Sequence, residues 1–248
     1  MGLRAVAISA DVSENDVRVP RSVLRSLERD LEELEARYKE GLLYVALGPS
    51  CGDDLAVVYV AERDVVEELN AAILEVLERY GGEDVMGISE EPETAGEGPS
   101  YAEAECPESE YQDLVVALFD TYAAENRVDE VAEVCLRAIK NLCYDVGGGP
   151  IREPTEIPGV GYVGPETDDP VLLATTDHLS QVGPTVGALI GAGKGAGARP
   201  VYRGAPAEVL PGTVIFSVTM ILNGNVVDAV KALEAGTGTE RWPLRELR

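Results

Sequence analysis

The chain has 248 residues, with 20 Lys and Arg against 45 Asp and Glu, a formal net charge of −25 and 45% hydrophobic residues. That length suits one large domain or two small ones, and that apolar content excludes wholesale disorder. So negative a surface repels phosphate, which excludes a general nucleic-acid binder, and no apolar run approaches the roughly 18–20 residues of a membrane span.

Residues 4–10, Arg-Ala-Val-Ala-Ile-Ser-Ala, read as a short buried strand, and the opening is too short and strand-like for a signal peptide. Pro20 marks a helix start, and Leu24, Leu27, Leu31, Leu34 and Tyr38 recur at spacings of three and four, the stripe of an amphipathic helix. Gly41 ends it. Residues 42–47 and 54–61 are two strands joined by the turn-rich Gly48-Pro-Ser-Cys-Gly-Asp53, a hairpin with a six-residue loop. Val66, Leu69, Ile73, Val76, Leu77 and Tyr80 mark a second helix, and Asp84–Ser89 a weaker strand. The order β-α-β-β-α-β is that of the ferredoxin-like split βαβ unit, in which two helices cover one face of a four-stranded antiparallel sheet.

Residues 90–109, rich in Glu, Pro, Gly, Ser and Ala, read as a surface linker. Tyr111, Leu114, Val115, Leu118 and Tyr122 then predict one helix, and Val128, Val131, Cys135, Ile139 and Leu142 a second. The glycine-rich run from Gly147 to Gly164 reads as a connector between two halves, with a lid as the alternative. A second copy of the first plan follows. It has a strand at 171–176, a helix marked by Leu179, Val182, Val186 and Leu189, and an edge strand at 199–203. A long strand at 213–222, a turn at Asn223-Gly224, a helix marked by Val226, Val227, Val230 and Leu233, and a closing strand at Trp242–Leu247 complete it. The expected fold class is therefore α+β, with two ferredoxin-like (βαββαβ) units at 1–90 and 165–248, separated by a linker and helical hairpin over 91–164. Each sheet leaves one face to be covered, either by the other sheet or in a homo-oligomer.

The first chemical candidate is the acidic set Asp11, Asp53 and Asp54. In a split βαβ unit the first and third strands are antiparallel neighbours, so the end of one and the start of the other share a sheet edge. Carboxylates converging there suit Mg²⁺, a hard ion that takes oxygen ligands, and two such ions suit in-line phosphoryl chemistry. Asp11 after a strand, with Cys51-Gly-Asp-Asp-Leu-Ala-Val-Val-Tyr59 on a hairpin, resembles the metal-binding pattern of the palm-type nucleotide cyclases, such as the GGDEF diguanylate cyclases and the type III GTP cyclohydrolases. The resemblance covers residues 4–89 and implies carboxylate-bound metal acting on a nucleotide-like substrate.

Cys51 and His178, the one histidine of the chain, form a second candidate, since a loop-borne thiol beside a base can act as a nucleophile. The third is the run Gly191–Gly197, where the backbone N–H groups of Gly193 and Gly195 could cradle an anion beside Lys194. The cysteines at 51, 106, 135 and 143 match no zinc or iron–sulfur spacing and make no disulfide scaffold. Only four of the basic residues are lysines, and the Glu-rich surface predicts the salt-rich, hot cytoplasm of an archaeal-type extremophile. Three functions stay open at this point. They are a cytoplasmic enzyme using carboxylate-bound Mg²⁺ on a small anionic or nucleotide-like metabolite, a non-catalytic ligand-binding or assembly module, and a thiol enzyme using Cys51 with His178. The expected partners are a small molecule and further copies of the chain, with neither nucleic acid nor membrane.

Overall fold

The structure is a computed structural model that describes residues 2–12, 17–81, 87–109, 112–121, 125–208 and 210–237. It is of the expected α+β class, with largely antiparallel sheets. The first half runs β1 (Leu3–Asp11), α1 (Arg21–Arg37), β2 (Leu42–Cys51), β3 (Asp54–Glu62), α2 (Val66–Glu78) and β4 (Ser100–Glu105). Its sheet has the order β2-β3-β1-β4. The second half runs β5 (Asp113–Thr121), α3 (Glu125–Ile139), β6 (Asp145–Gly148), β7 (Thr155–Ile157), β8 (Gly161–Val163) and β9 (Val171–Thr176). Then come α4 (Leu179–Gly195), β10 (Arg199–Val201), β11 (Val214–Leu222), β12 (Asn225–Asp228) and α5 (Ala229–Thr237). The second sheet has the order β10-β11-β5-β9-β6, with β12 paired to β11.

Strand periodicity sorts the side chains into layers. On β1 and β3, Val6, Ile8, Val57 and Tyr59 face α1 and α2, where they pack with Leu27, Leu31, Leu69 and Ile73. The alternate residues Ala5, Ala7, Ala56, Val58 and Val60 face the other sheet, and meet Leu114, Val116, Leu118, Val171 and Leu173 there. On the far side of the second sheet, Phe119, Val115 and Phe216 pack under α3 and α4. The result is four layers, helices–sheet–sheet–helices, in which each sheet supplies the cover the other needs. Small alanines on one face and larger residues on the other let the two sheets interdigitate.

Three expectations are corrected here. Residues 113–121 are the strand β5, not a helix, so there is no helical hairpin. Leu114–Phe119 is a continuous apolar run buried on both faces, as a central strand requires, and its residues also fit a helical stripe. The edge strand β4 lies at 100–105, inside the stretch read as a linker. Its inward residues are Ala102 and Ala104, which are too small to stand out as an apolar alternation. The hairpin loop of six residues contracts to the two-residue turn Gly52-Asp53, because β2 continues through Gly48-Pro49 with a register shift at a bulge, where an edge strand tolerates proline. The expected strands at 84–89 and 242–247 fall wholly or partly outside the described residues.

The glycine-rich connector carries strands of its own and packs against both halves. Gly147 and Gly148 belong to β6 and pair with Leu173 and Leu172 of β9. The hairpin β7–β8 then crosses to the first half, where Ile157 and Val163 are fully buried against its core. Asn70 of α2 donates from Nδ2 to the Pro158 carbonyl at 2.9 Å and accepts from the Tyr59 hydroxyl at 2.7 Å. The chain returns through Asp168-Asp169-Pro170 into β9. One loop thus ties the halves together and delivers two acidic residues to the end of the inter-sheet layer.

Candidate metal centre

The parity that fills the inter-sheet layer also fixes its polar end. Asp54 opens β3 on the face of Ala56 and Val58. Asp120, one residue before the end of β5, shares the face of Val116 and Leu118. Asp169 lies two residues before Val171, the first residue of β9, and reaches the same end of the layer from its loop. An oxygen of each of the three carboxylates lies within 4.8 Å of the other two. Asp54 and Asp120 are buried, at 6% and 5% exposure, and Asp169 is half-buried. Asp120 Oδ2 and Asp169 Oδ1 are both buried without a hydrogen-bond partner.

The surrounding backbone holds this geometry. The Thr121 backbone N–H is hydrogen-bonded to the Asp120 carboxylate, and the Asp54 carboxyl shares a hydrogen bond with Asp169. Asp169 itself has φ +47° and precedes Pro170. That conformation is rare for a residue with a side chain, and it is held by its neighbours. The Ser100 hydroxyl donates to the Asp168 carbonyl at 3.0 Å, and the Phe119 N–H to the Pro170 carbonyl at 3.3 Å.

The electrostatics follow from burial among like charges. Burial pushes the Asp120 carboxyl up to about 7, with Asp53 and Asp168 adding to the rise. Asp54 and Asp169 are raised as well, by burial first and then by neighbouring aspartates. The described ion pairs involve none of the three. The donor set is all carboxylate oxygen, which is what hard cations take. Two ligands on opposite sides of an ion at about 2.1 Å stand about 4.2 Å apart, within the spacing here.

The three expected sites fare differently. Asp54 is in the group. Asp11 pairs in register with Asp54 across β1 and β3, and Asp53 sits in the turn before it, but neither is one of the three clustered carboxylates. Asp120 and Asp169 escape sequence reasoning. The first lies in a stretch that reads as a helix. The second lies in a connector where Asp-Asp-Pro reads as turn chemistry.

Cys51 and His178 do not meet. The Cys51 thiol is fully buried and donates to the Leu118 carbonyl at 3.5 Å, and burial holds its pKa well above the ordinary thiol range. His178 follows Thr176, which pairs with Asp113 five residues back along β5, about 17 Å away at strand spacing. There its Nδ1 accepts the Ser180 N–H at 3.1 Å and caps α4. It lines a cleft of 440 Å³ with Asp113, Thr176, Leu179, Asn223 and Asn225, at the opposite end of the sheet. Gly193, Lys194 and Gly195 form the last turn of α4, not a loop. A Cβ at Gly193 would lie 2.7 Å from Phe216 Cε1, so this glycine serves helix–sheet packing. Carbonyls, not N–H groups, are exposed at that helix end, which disfavours an anion.

Residues 4–237 match the family described as Uncharacterised conserved protein UCP005278. The chain belongs to this family. An uncharacterized protein of Methanothermobacter thermautotrophicus is 40% identical over 242 residues, covering 95% of this chain and 96% of its own. One from Methanocaldococcus jannaschii is 37% identical over 227 residues, covering 90% and 93%. Both relatives are archaeal. Among solved structures, a provisionally assigned monooxygenase from Lactobacillus acidophilus aligns at TM-score 0.32 and 10% identity, over 92% of this chain and 97% of its own. A provisionally assigned chlorite dismutase aligns at TM-score 0.34 and 9% identity, over 77% and 87%. At these scores neither carries an argument about this member of UCP005278.

The resemblance to palm-type nucleotide cyclases is overturned by the family match, which spans both halves and is to UCP005278. The physical reason lies in the chain's topology. The carboxylates clustered with Asp54 come from beyond residues 4–89, at 120 and 169, so the short motif is not a self-contained metal site. No helix among the described residues is long and apolar enough to cross a membrane.

Proposed function

We propose that this UCP005278 protein is a divalent-cation-dependent enzyme acting on a small anionic metabolite, with a hard ion such as Mg²⁺ held by Asp54, Asp120 and Asp169. Its scaffold reads as two ferredoxin-like units, β1-α1-β2-β3-α2-β4 and β5-α3-β6-β9-α4-β11, apposed through their sheets. The observation that supports the cation most directly is the Asp120 carboxylate, 5% exposed, with Oδ2 unpartnered and two more carboxylates within 4.8 Å.

Magnitude favours an occupant of positive charge. Two unit charges 4.8 Å apart repel by about 3.5 kcal/mol at an effective dielectric of 20, and the site contains three pairs at least this close when ionised. A divalent ion offsets that repulsion, and it also gives an anionic substrate a reason to approach a chain of net charge −25. When bound, such an ion supplies charge stabilisation at a substrate oxygen. The role of the three aspartates is to hold it at the rim where the two sheets meet.

The test is titration of EDTA-stripped protein with Mg²⁺, Mn²⁺ and Ca²⁺, followed by unfolding temperature and calorimetry, and then by turnover of small phosphorylated and carboxylated metabolites. Saturable stabilisation that is lost in Asp120→Asn, with metal-dependent turnover, is the expected result. No response to any of the ions would overturn the site. Ion binding without turnover of any metabolite would leave a cation-binding module and overturn the enzyme reading.

A further inference from the structure

We infer that Gly52 is a positioning residue whose missing side chain makes room for the Asp120 carboxylate, an assignment that rests on the reading of the triad as a cation site. Gly52 lies in the tight turn between β2 and β3, in the first half of the chain, and Asp120 comes from β5 in the second. A Cβ built on Gly52 would fall on Asp120 Oδ2 and lie 2.8 Å from its Cγ. Oδ2 is the same atom that is buried without a partner.

The turn cannot easily retreat, so the carboxylate is the side that yields. The Gly52 N–H donates to the Ala205 carbonyl at 2.9 Å, and its carbonyl accepts from the Val19 N–H at 3.2 Å, so the turn is pinned from two directions. The Asp120 carboxylate is held by the Thr121 N–H. Any side chain at position 52 therefore swings the Asp120 carboxylate away from Asp54 and Asp169. The fold can survive that movement, because only the end of one side chain shifts. The ligand geometry cannot.

Gly52 also has φ +61°, which gives glycine a second reason to be there. The two reasons separate experimentally. Asparagine tolerates the left-handed region but carries a Cβ. Gly212 is the control for strain alone, with φ +82° and nothing within 4 Å of an added Cβ.

The experiment is a Mn²⁺ titration of the EDTA-stripped full chain by calorimetry, in wild type, Gly52→Asn and Gly212→Asn. We expect Gly52→Asn to fold and to lose affinity about 10–100-fold, as displaced supports of metal ligands do, while Gly212→Asn binds as wild type. Wild-type affinity in Gly52→Asn overturns the assignment. A second measurement needs no ion. In EDTA, Gly52→Ala should cost less unfolding temperature in an Asp120→Ala background than alone, because the carboxylate in its way is gone. Equal losses, or an unfolded Gly52→Ala that Asp120→Ala does not restore, overturn it. Wild type that ignores Mn²⁺ while the cycle shows this coupling would refute the cation reading and leave only the steric one.

Discussion

Replacing Asp120 by Asn tests the electrostatics of the site directly. The wild-type carboxyl is raised to about 7 by burial among aspartates, from an ordinary value near 3.9. A group raised on folding favours the native state while protonated, so its contribution is full below about pH 4 and is lost as pH rises through 7. The rise from 3.9 to about 7 corresponds to a loss of about 4 kcal/mol at most. Asn keeps the shape and stays neutral. In EDTA at pH 8 the variant should therefore be more stable than wild type by about 2–4 kcal/mol, or roughly 4–16 °C for a chain of this size. The gap should close towards pH 4. Mg²⁺ at 1,000 times its dissociation constant should cancel or reverse the gap, since it adds about 4.1 kcal/mol to a protein that binds it. Thermal unfolding across pH 4–8, with EDTA or Mg²⁺, reads all of this. A variant less stable than wild type at pH 8 in EDTA, with an undiminished response to Mg²⁺, would show that Asp120 neither repels its neighbours nor holds the ion.

Three further outcomes concern residues away from the carboxylates. Ile157→Ala, in the loop that crosses to the first half, should cost about 2–5 kcal/mol in chemical denaturation, because the side chain is fully buried in the other half's core. A loss below about 1 kcal/mol would mean the crossing loop is not part of that core. His178→Ala should cost about 0.5–2 kcal/mol through its lost helix cap and leave Mg²⁺ binding unchanged. Weakened ion binding would show that the two ends of the sheet are coupled. Native protein at pH 8 should resist iodoacetamide at Cys51, Cys106 and Cys135, all buried, with all four cysteines reacting in denaturant. Fast labelling of native Cys51, read by mass spectrometry, would contradict its burial.

Much of the scaffold is legible in the sequence because its signals are local. The stripe Leu27, Leu31, Leu34 places α1, and the apolar run through Val214–Leu222 places β11. Sequence reasoning fails where a residue's neighbours lie far away along the chain. Leu114–Phe119 fits helix and strand equally well until β9 and β11 are known to flank it. Ala102 and Ala104 look like linker composition until Ala5 and Ala7 are seen beside them. The site is half legible for the same reason. Asp54 follows a turn on a recognisable hairpin, whereas Asp120 and Asp169 are brought to it by sheet-on-sheet packing that leaves no spacing rule in the sequence.

Anomalous scattering from crystals of the full chain soaked in Mn²⁺ would locate the ion at the three carboxylates. We expect one strong peak between the sheets, about 2.0–2.6 Å from oxygens of Asp54, Asp120 and Asp169. Crystals that take up Mn²⁺ only elsewhere, or none at all at millimolar ion and pH 8, would contradict it.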